Sequence, residues 1–528
     1  MAWYHSAVFY ELSIRSFCDS NGDGIGDLPG LTSKLDYLQG LGVDCLWLLP
    51  FFASPLRDDG YDVSDYEAVH PDVGTMDDVR ELVTATHSRG MRLIADLVLN
   101  HTSSDHPWFQ EARRPGSPKR DWYVWSDTPD RWPDARVIFI DTEDSNWAWD
   151  DVAGAYYWHR FYSHQPDLNF DNPEVVEAVL DVARFWLRLG FDGLRLDAIP
   201  YLVERDGTNC DNLPETHAII RKIRAVVDSE FPDAILVAEA NQIATDVVEY
   251  FGDGDECHMC YHFPVMPPLY MSLRLGDTDK LVAAIDNTPQ IPHGAQWAVF
   301  LRNHDELTLE MVTPEEREWM WQEYAPELRM RSNLGIRRRL APLLGGDRSR
   351  IELLNGLLLS LPGSPFLYYG DEIGMGDNIQ LHDRDGVRTP MQWNSSPGAG
   401  FSAAPPQRFH LPIIDTPGYE PATVSVAVQQ GDAESLLEWT RRALAIRAQH
   451  PAFGEGSFHR LEPDNHALIV YERATESEAI VVAANFSESV QQIGGLAGTA
   501  SDLWSGNSVD LRGLDLPPFG FRWLLRDV

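Results

Sequence analysis

Lysine is scarce in this chain: four of its 42 basic residues are Lys, against 81 acids, leaving a formal net charge of −39. A surface this poor in positive charge repels phosphate backbones and anionic lipids, so neither nucleic acid nor a membrane surface is expected as a partner. A saline environment and a genome bias toward arginine both produce such a composition. Cysteine is also sparse. Cys18, Cys45, Cys210, Cys257 and Cys260 are too few and too scattered for a disulfide framework, which predicts a reducing, cytoplasmic setting. Long apolar runs are missing: the most leucine-rich stretch, Leu353 to Leu361, is about half the length of a spanning helix and ends at Pro362. The start, Met1-Ala2-Trp3-Tyr4-His5, lacks the basic and apolar regions of a secretory signal, so none is expected.

What is present is an ordinary globular composition, 44% apolar and 23% charged over 528 residues, enough for several domains. Short apolar runs alternate with amphipathic stretches. Val8 to Ile14, Cys45 to Pro50, Met91 to Val98, Gly193 to Ala198, Ala234 to Ala240, Cys257 to Phe263, Trp297 to Arg302 and Pro365 to Tyr369 read as strands. Helices are predicted at Thr75 to Arg89, closed by Gly90, and at Pro173 to Leu189, between Asn172 and Gly190. Eight such units point to a closed (β/α)8 barrel over 1–100 and 172–449, although an open doubly wound sheet has the same periodicity. Residues 101–171 hold seven of the 17 tryptophans and read as an inserted subdomain. A charged helical insertion is expected at 306–350. Residues 450–528 alternate without helices and are expected to form a C-terminal antiparallel β-sandwich.

Three predicted strands end in acids: Gly193-Leu194-Arg195-Leu196-Asp197, Val237-Ala238-Glu239-Ala240-Asn241 and Leu301-Arg302-Asn303-His304-Asp305. A carboxylate on an apolar strand costs several kcal/mol unless it is paired or used. One such acid is explained by an ion pair; three at one rim of a barrel point to chemistry. Arg195 lies two residues before Asp197 and so shares its strand face, where its charge favours the carboxylate. Glu239 lies between alanines, and desolvation there raises a carboxyl toward a working acid.

With Asp96-Leu97-Val98-Leu99-Asn100-His101-Thr102, these segments resemble the four signature segments of the α-amylase superfamily of retaining glycosidases and transglycosylases, in the right order, over nearly the whole chain. The resemblance implies Asp197 as nucleophile, Glu239 as general acid/base and Asp305 as transition-state stabiliser. It implies that His101 and His304 bond the ring hydroxyls of the −1 glucose. In Gly60-Tyr61-Asp62-Val63-Ser64-Asp65-Tyr66, Tyr61 would stack on that glucose and Asp62 would grip its far hydroxyls, partnered by Arg384 or Arg388. Such a grip closes the pocket beyond one sugar and restricts the enzyme to chain ends and disaccharides.

Asp19-Ser20-Asn21-Gly22-Asp23-Gly24-Ile25-Gly26-Asp27 begins like an EF-hand loop, with oxygen ligands at Asp19, Asn21 and Asp23 and the carbonyl of Ile25. Position 12 is Gly30, so Asp27 would complete the shell; a metal-free turn is the alternative. In the oligo-1,6-glucosidase branch of the superfamily this loop holds Ca²⁺ or Mg²⁺. By resemblance alone, a second structural Ca²⁺ is expected at Asn100, Asp167, the carbonyls of Tyr201 and Leu202, and Glu204. Cys257 and Cys260 form a single CxxC, too little for zinc, and are expected as core thiols.

Gln165-Pro166-Asp167-Leu168-Asn169 resembles the same branch. The run from Asp197 through Tyr201 to His217, and Glu239-Ala240-Asn241, resemble its members that interconvert maltose and trehalose, with Tyr201 and Asn241 near the +1 glucose. The expected activity is therefore an intramolecular transglucosylation of a disaccharide with minor hydrolysis to glucose, and no maltokinase extension is expected after Val528. The alternatives are an α-glucosidase for small α-glucosides and a non-catalytic barrel serving as a binding or chaperone module. The sequence leaves the oligomeric state open, a homo-oligomer included.

Overall fold

The computed structural model describes residues 2–526; Met1 and residues 527 and 528, which the expected first and last domains include, lie outside the described residues. Eight parallel strands surround a common axis: β1 (Phe9–Leu12), β2 (Cys45–Leu48), β3 (Arg92–Val98), β4 (Gly193–Asp197), β5 (Ile235–Ala238), β6 (Met259–Tyr261), β7 (Gln296–Phe300) and β8 (Ser364–Tyr368). Phe9 faces Cys45 on one side and Phe366 on the other, so β1 pairs with both β2 and β8 and the sheet closes. That removes the open-sheet alternative. Almost every strand residue is buried on both faces, which is why the runs are continuous rather than alternating.

The covering helices follow their local signals. α1 (Met76–Ser88) starts at a Thr75–Asp78 capping box and buries Val79, Leu82, Val83 and Thr86. α2 (Pro173–Leu189) is capped by Asn172, whose side chain accepts from the Glu174 N–H. It stops at Gly190, at φ +112°, where a Cβ would meet Val83 Cγ1 at 2.8 Å. Glycine there both reverses the chain and lets α2 approach α1.

The insertions differ from expectation in detail. Residues 101–171 contain a short helix, α3 (Pro107–Ala112), and a three-stranded antiparallel sheet of Trp125–Ser126, Ala155–Trp158 and Trp147–Asp150. Trp132 stacks on Trp147 and both meet Trp158 edge to face to form its core, with centroids 5.0 to 5.4 Å apart. Residues 306–350 are mixed rather than helical. A helix at Pro314–Tyr324 sits beside a three-stranded antiparallel sheet of Leu307–Thr308, Gly335–Ile336 and Arg331–Ser332. Strands two residues long carry no periodicity, so the sequence pattern does not reveal them.

After the helix Leu436–Gln449, a six-stranded antiparallel sheet is built from Ser457–Leu461, Leu468–Ala474, Ala479–Asn485, Phe521–Arg526, Thr499–Asp502 and Ser508–Asp510 in that order. The second layer is only a ribbon of Gln491–Gln492 with Asp515–Leu516, so the expected sandwich is strongly unequal. Among the described residues no helix is long and apolar enough to cross a membrane.

Candidate active site

Asp197 is the last residue of β4, and Arg195 emerges on the same face two residues earlier. The Arg195 guanidinium is 1% exposed and serves three carboxylates. Its Nη1 donates to Asp96 Oδ1 at 2.6 Å and to Asp197 Oδ1, while Nη2 lies 2.9 Å from Glu239 Oε1. Glu239 follows β5 immediately, and its other oxygen accepts from the Ala198 N–H at 3.1 Å. Ala198 holds the left-handed conformation (φ +52°) that turns this N–H toward Glu239. Two carboxyls held by one guanidinium supply the pair of acids, nucleophile and acid/base, that a retaining mechanism needs.

β7 stops at Phe300, so Asp305 stands five residues into the following loop rather than at a strand end. Side chains hold it instead: Arg384 Nη1 and Arg388 Nη2 each donate to Oδ1 at 2.9 Å, and His304 Nε2 lies 3.1 Å from Oδ2.

The three acids experience different fields. Burial pushes Asp197 up to about 6, with Arg195 pulling it down and Asp96 adding to the rise. Burial also raises Glu239, to about 7, opposed by Arg195 and reinforced by Asp197. Arg195 therefore restrains but does not cancel desolvation at Asp197. Asp305 goes the other way: against burial, His304, Arg384 and Arg388 together hold it well below the carboxylate range. Near neutral pH one acid is a permanent anion, one is mostly ionised, and one retains a proton about half the time.

These acids line one shared cavity. Tyr61, His101, Tyr201, Asn241 and Arg384 also line it. His101 Nε2 donates to the Tyr61 carbonyl at 3.1 Å, and burial keeps its ring neutral, down to about 3. Arg195, His304 and Arg388 stand behind the lining residues and act through them. Of these, His304, expected on the sugar hydroxyls, is fully buried and sandwiched between acids.

Asp62 requires correction. It faces no arginine: its carboxylate accepts from Ser54 Oγ at 2.8 Å and from the N–H groups of Arg57 and Asp58 at 3.1 and 3.2 Å, closing its own loop. The acid that meets the arginine is Asp58, four residues earlier, at 2.7 Å from Arg384 Nη2; Arg388 turns to Asp59 and Asp305. Gln165 braces the other Asp58 oxygen at 2.8 Å. Nothing in the local sequence pattern distinguishes Asp58 as the arginine's partner, although its doublet with Asp59 is conspicuous before Gly60-Tyr61.

The outer wall comes from the insertions. Phe139 and Phe161 of the inserted subdomain and Glu306, Thr308 and Glu310 after β7 line the cavity. Arg136 Nη2 lies 2.8 Å from Glu310 Oε2 and 3.1 Å from the Tyr201 hydroxyl, and Asn241 Nδ2 donates to Thr308 Oγ1 at 3.0 Å. None of the residues in this roof except Tyr201 and Asn241 was singled out from the sequence, because only the fold brings the two insertions together.

The family model for the alpha amylase catalytic domain matches residues 12–326 and 337–456. The chain belongs to the α-amylase family. Among family members, the trehalose synthase/amylase TreS of Mycobacterium tuberculosis is 58% identical over 93% of this chain and 83% of its own length. Trehalose synthase of Thermus thermophilus is 55% identical over 93% of this chain, which spans 51% of that protein. Among solved structures, the trehalulose synthase MutB of Pseudomonas mesoacidophila superposes with a TM-score of 0.81 at 28% identity, covering all of both chains. The alpha-glucosyl transfer enzyme XgtA gives 0.81 at 31%, with the same coverage.

The two cation sites that α-amylase resemblance implies differ in fit. In the Asp19–Asp27 loop, Asp19 accepts from the N–H groups of Asn21, Gly22 and Gly24, Asn21 from Asp23, Asp23 from Ile25, and Asp27 from Ser20 and Gly30. These bonds come from the loop's own backbone, and the hydroxyls of Ser20 and Ser402 add to them at Asp27 and Asp19. By contrast, Asn100 Oδ1 and Asp167 Oδ2 are buried and have no hydrogen-bond partner among the described residues. Burial drives Asp167 well above the carboxylate range, reinforced by Glu204, and burial lifts Glu204 to about 8. Orphaned hard oxygens beside acids that resist ionising fit a divalent cation. Among the described residues no three His, Cys, Asp or Glu side chains form a metal-like group, so such a site depends on Asn100 and backbone carbonyls. Cys257 and Cys260 are buried free thiols, pushed up by burial.

Proposed function

We propose that this enzyme interconverts maltose and trehalose by retaining double displacement within one cavity. The observation that carries the reading is Arg195 holding Asp197 and Glu239 together under a roof formed by Arg136, Tyr201 and Glu310. The relatives named trehalose synthase support the choice of substrate. Asp197 attacks C1 of the non-reducing glucose of maltose while Glu239 gives its proton to the bridging oxygen. The C1–O bond breaks, leaving a β-glucosyl ester on Asp197 and free glucose. The glucose turns, its anomeric hydroxyl attacks the same C1, and Glu239 takes that proton, so an α,α-1,1 bond forms and Asp197 is released. Asp305 spans the sugar opposite, and Asp58 with Arg384 closes the pocket behind it. Water in place of glucose gives hydrolysis, so the roof sets the balance between isomerase and α-glucosidase.

The reading includes a structural Ca²⁺ at Asn100, Asp167 and Glu204 with the carbonyls of Tyr201 and Leu202, which would tie the inserted subdomain to β4's loop. The Asp19–Asp27 loop would hold Ca²⁺ or Mg²⁺ only through lone pairs its backbone bonds leave free. Neither ion takes part in the reaction. A cytoplasmic location agrees with five buried, unpaired cysteines. Carbon NMR of maltose with the protein tests the reading: the symmetric α,α-1,1 product is expected, and glucose alone would replace it with the glucosidase reading. Labelled free glucose is expected to enter the disaccharide only slowly if glucose stays enclosed.

A further inference from the structure

Glu11 is an acid in the middle of an apolar barrel strand. It sits on β1 between Tyr10 and Leu12, opposite Trp47 and Tyr368 in the neighbouring strands, and is 1% exposed. Among the described residues its ion-pair partner is His304 alone, with Oε1 at 2.6 Å from Nδ1. The same oxygen accepts the His304 backbone N–H at 3.0 Å, which fixes the start of the loop carrying Asp305. On the other side of the ring, Nε2 is 3.1 Å from Asp305 Oδ2 and 2.7 Å from the Tyr61 hydroxyl. Tyr61 in turn donates to Asp96 at 3.1 Å. Both ring nitrogens thus face acceptors, and both must donate; only an imidazolium does so.

We propose that Glu11 is a positioning residue that keeps His304 an imidazolium and, through it, locks Asp305 and Tyr61 against the −1 sugar. The proposal rests on the glucosyl-transfer reading and concerns a residue that touches no substrate. The charged groups facing His304 are Glu11 from β1, Asp305 beside it, the Tyr61 hydroxyl backed by Asp96, and Arg388, whose Nε donates to the His304 carbonyl at 3.0 Å. Burial alone would lower His304, but Asp305 and Glu11 overcome it and raise it to about 9. Removing one of the two counter-charges leaves a ring that loses its proton earlier. The neutral ring keeps one N–H, which then serves either residue 11 at Nδ1 or the Asp305 and Tyr61 side at Nε2, but not both.

The test is Glu11→Gln, which keeps the shape and an acceptor oxygen but removes the charge, with maltose consumption measured across pH. A charged hydrogen bond of this kind is worth about a ten- to hundredfold change, expected in kcat with little change in KM. In the unmodified enzyme the alkaline fall follows one proton as Glu239 ionises near 7 and steepens to two above about 9 as His304 does. In Glu11→Gln the steepening is expected about one pH unit or more earlier. In a His304→Asn background, Glu11→Gln is expected to cost nothing further. An unmoved break, or losses that add in the double variant, would overturn the proposal. So would a Glu11→Gln chain that fails to fold, since that assigns Glu11 to stability. Unmodified enzyme that consumes maltose without making trehalose would remove the proposed function and leave Glu11's role standing.

Discussion

Arg136 Nη2 lies 2.8 Å from Glu310 Oε2, and this ion pair joins the inserted subdomain to the segment that follows β7 beside the sugar cavity, which Glu310 lines. The same guanidinium bonds the Tyr201 hydroxyl at 3.1 Å, so three separate chain segments meet at one cation. Isomerisation needs glucose kept in and water kept out, and this contact ties together two insertions whose side chains line the outer part of the cavity.

Arg136→Ala is therefore expected to raise glucose release relative to trehalose without abolishing maltose consumption. The pair is partly solvated and such pairs are worth up to about 1 kcal/mol, so the product ratio is expected to shift about three- to fivefold. Product analysis by chromatography after partial conversion reads this directly. An unchanged ratio would show that the roof is held elsewhere, for example by the Asn241–Thr308 contact.

The pH profile follows from the two central acids. Asp197 must be ionised to attack and titrates at about 6; Glu239 must be protonated to release the leaving sugar and titrates at about 7. Activity should rise with pH through the first value and fall through the second, with its maximum between them. The two acids share Arg195, so the limbs belong to the pair rather than to either residue. Arg195→Gln removes the charge that lowers both. The acid limb should then move to higher pH and kcat/KM at pH 6 should fall steeply. A limb that stays in place would break the link between Arg195 and the ionisation of Asp197.

Asp58 and Asp62 separate sugar binding from loop stability. Asp58 faces the cavity with Arg384, whereas Asp62 satisfies a hydroxyl and two backbone N–H groups of its own loop. Asp58→Asn is expected to raise KM for maltose about ten- to a hundredfold, the scale of a lost charged hydrogen bond, with little change in Tm. Asp62→Ala should lower Tm by leaving those donors unpaired, with activity falling only in proportion to folded protein. Reversal of the two phenotypes would restore Asp62 as the sugar-gripping acid.

The same pair shows how far the sequence is legible. Asp197 and Glu239 stand out because an acid in an apolar strand demands a reason, and the fold brings both to one arginine. Glu11 stands out by the identical rule, yet its reason is His304, almost three hundred residues away, which no local pattern supplies. Asp58 and Asp62 are equally polar and four residues apart in one turn; only the backbone trace decides which faces the cavity. The barrel is readable because buried parallel strands must be continuously apolar. The sheet within 306–350 is not, because two-residue strands leave no period.

The buried oxygens of Asn100 and Asp167 make the proposed cation testable through stability alone. Without an ion, Asp167 and Glu204 are raised above their unfolded values, Glu204 to about 8. For a raised carboxyl the native state binds more protons than the unfolded chain, so its contribution is full below about pH 4 and is lost as pH climbs through the native value. Chelator-treated protein should therefore lose Tm progressively between about pH 5 and 8. Ca²⁺ binds the ionised carboxylates, so it should restore Tm most at the upper end of that window and least at the lower. Glu204→Gln removes one titrating group and should flatten both the pH slope and the Ca²⁺ response. A Tm that ignores Ca²⁺ and chelator at pH 8 would show that these oxygens are satisfied by something other than a divalent cation.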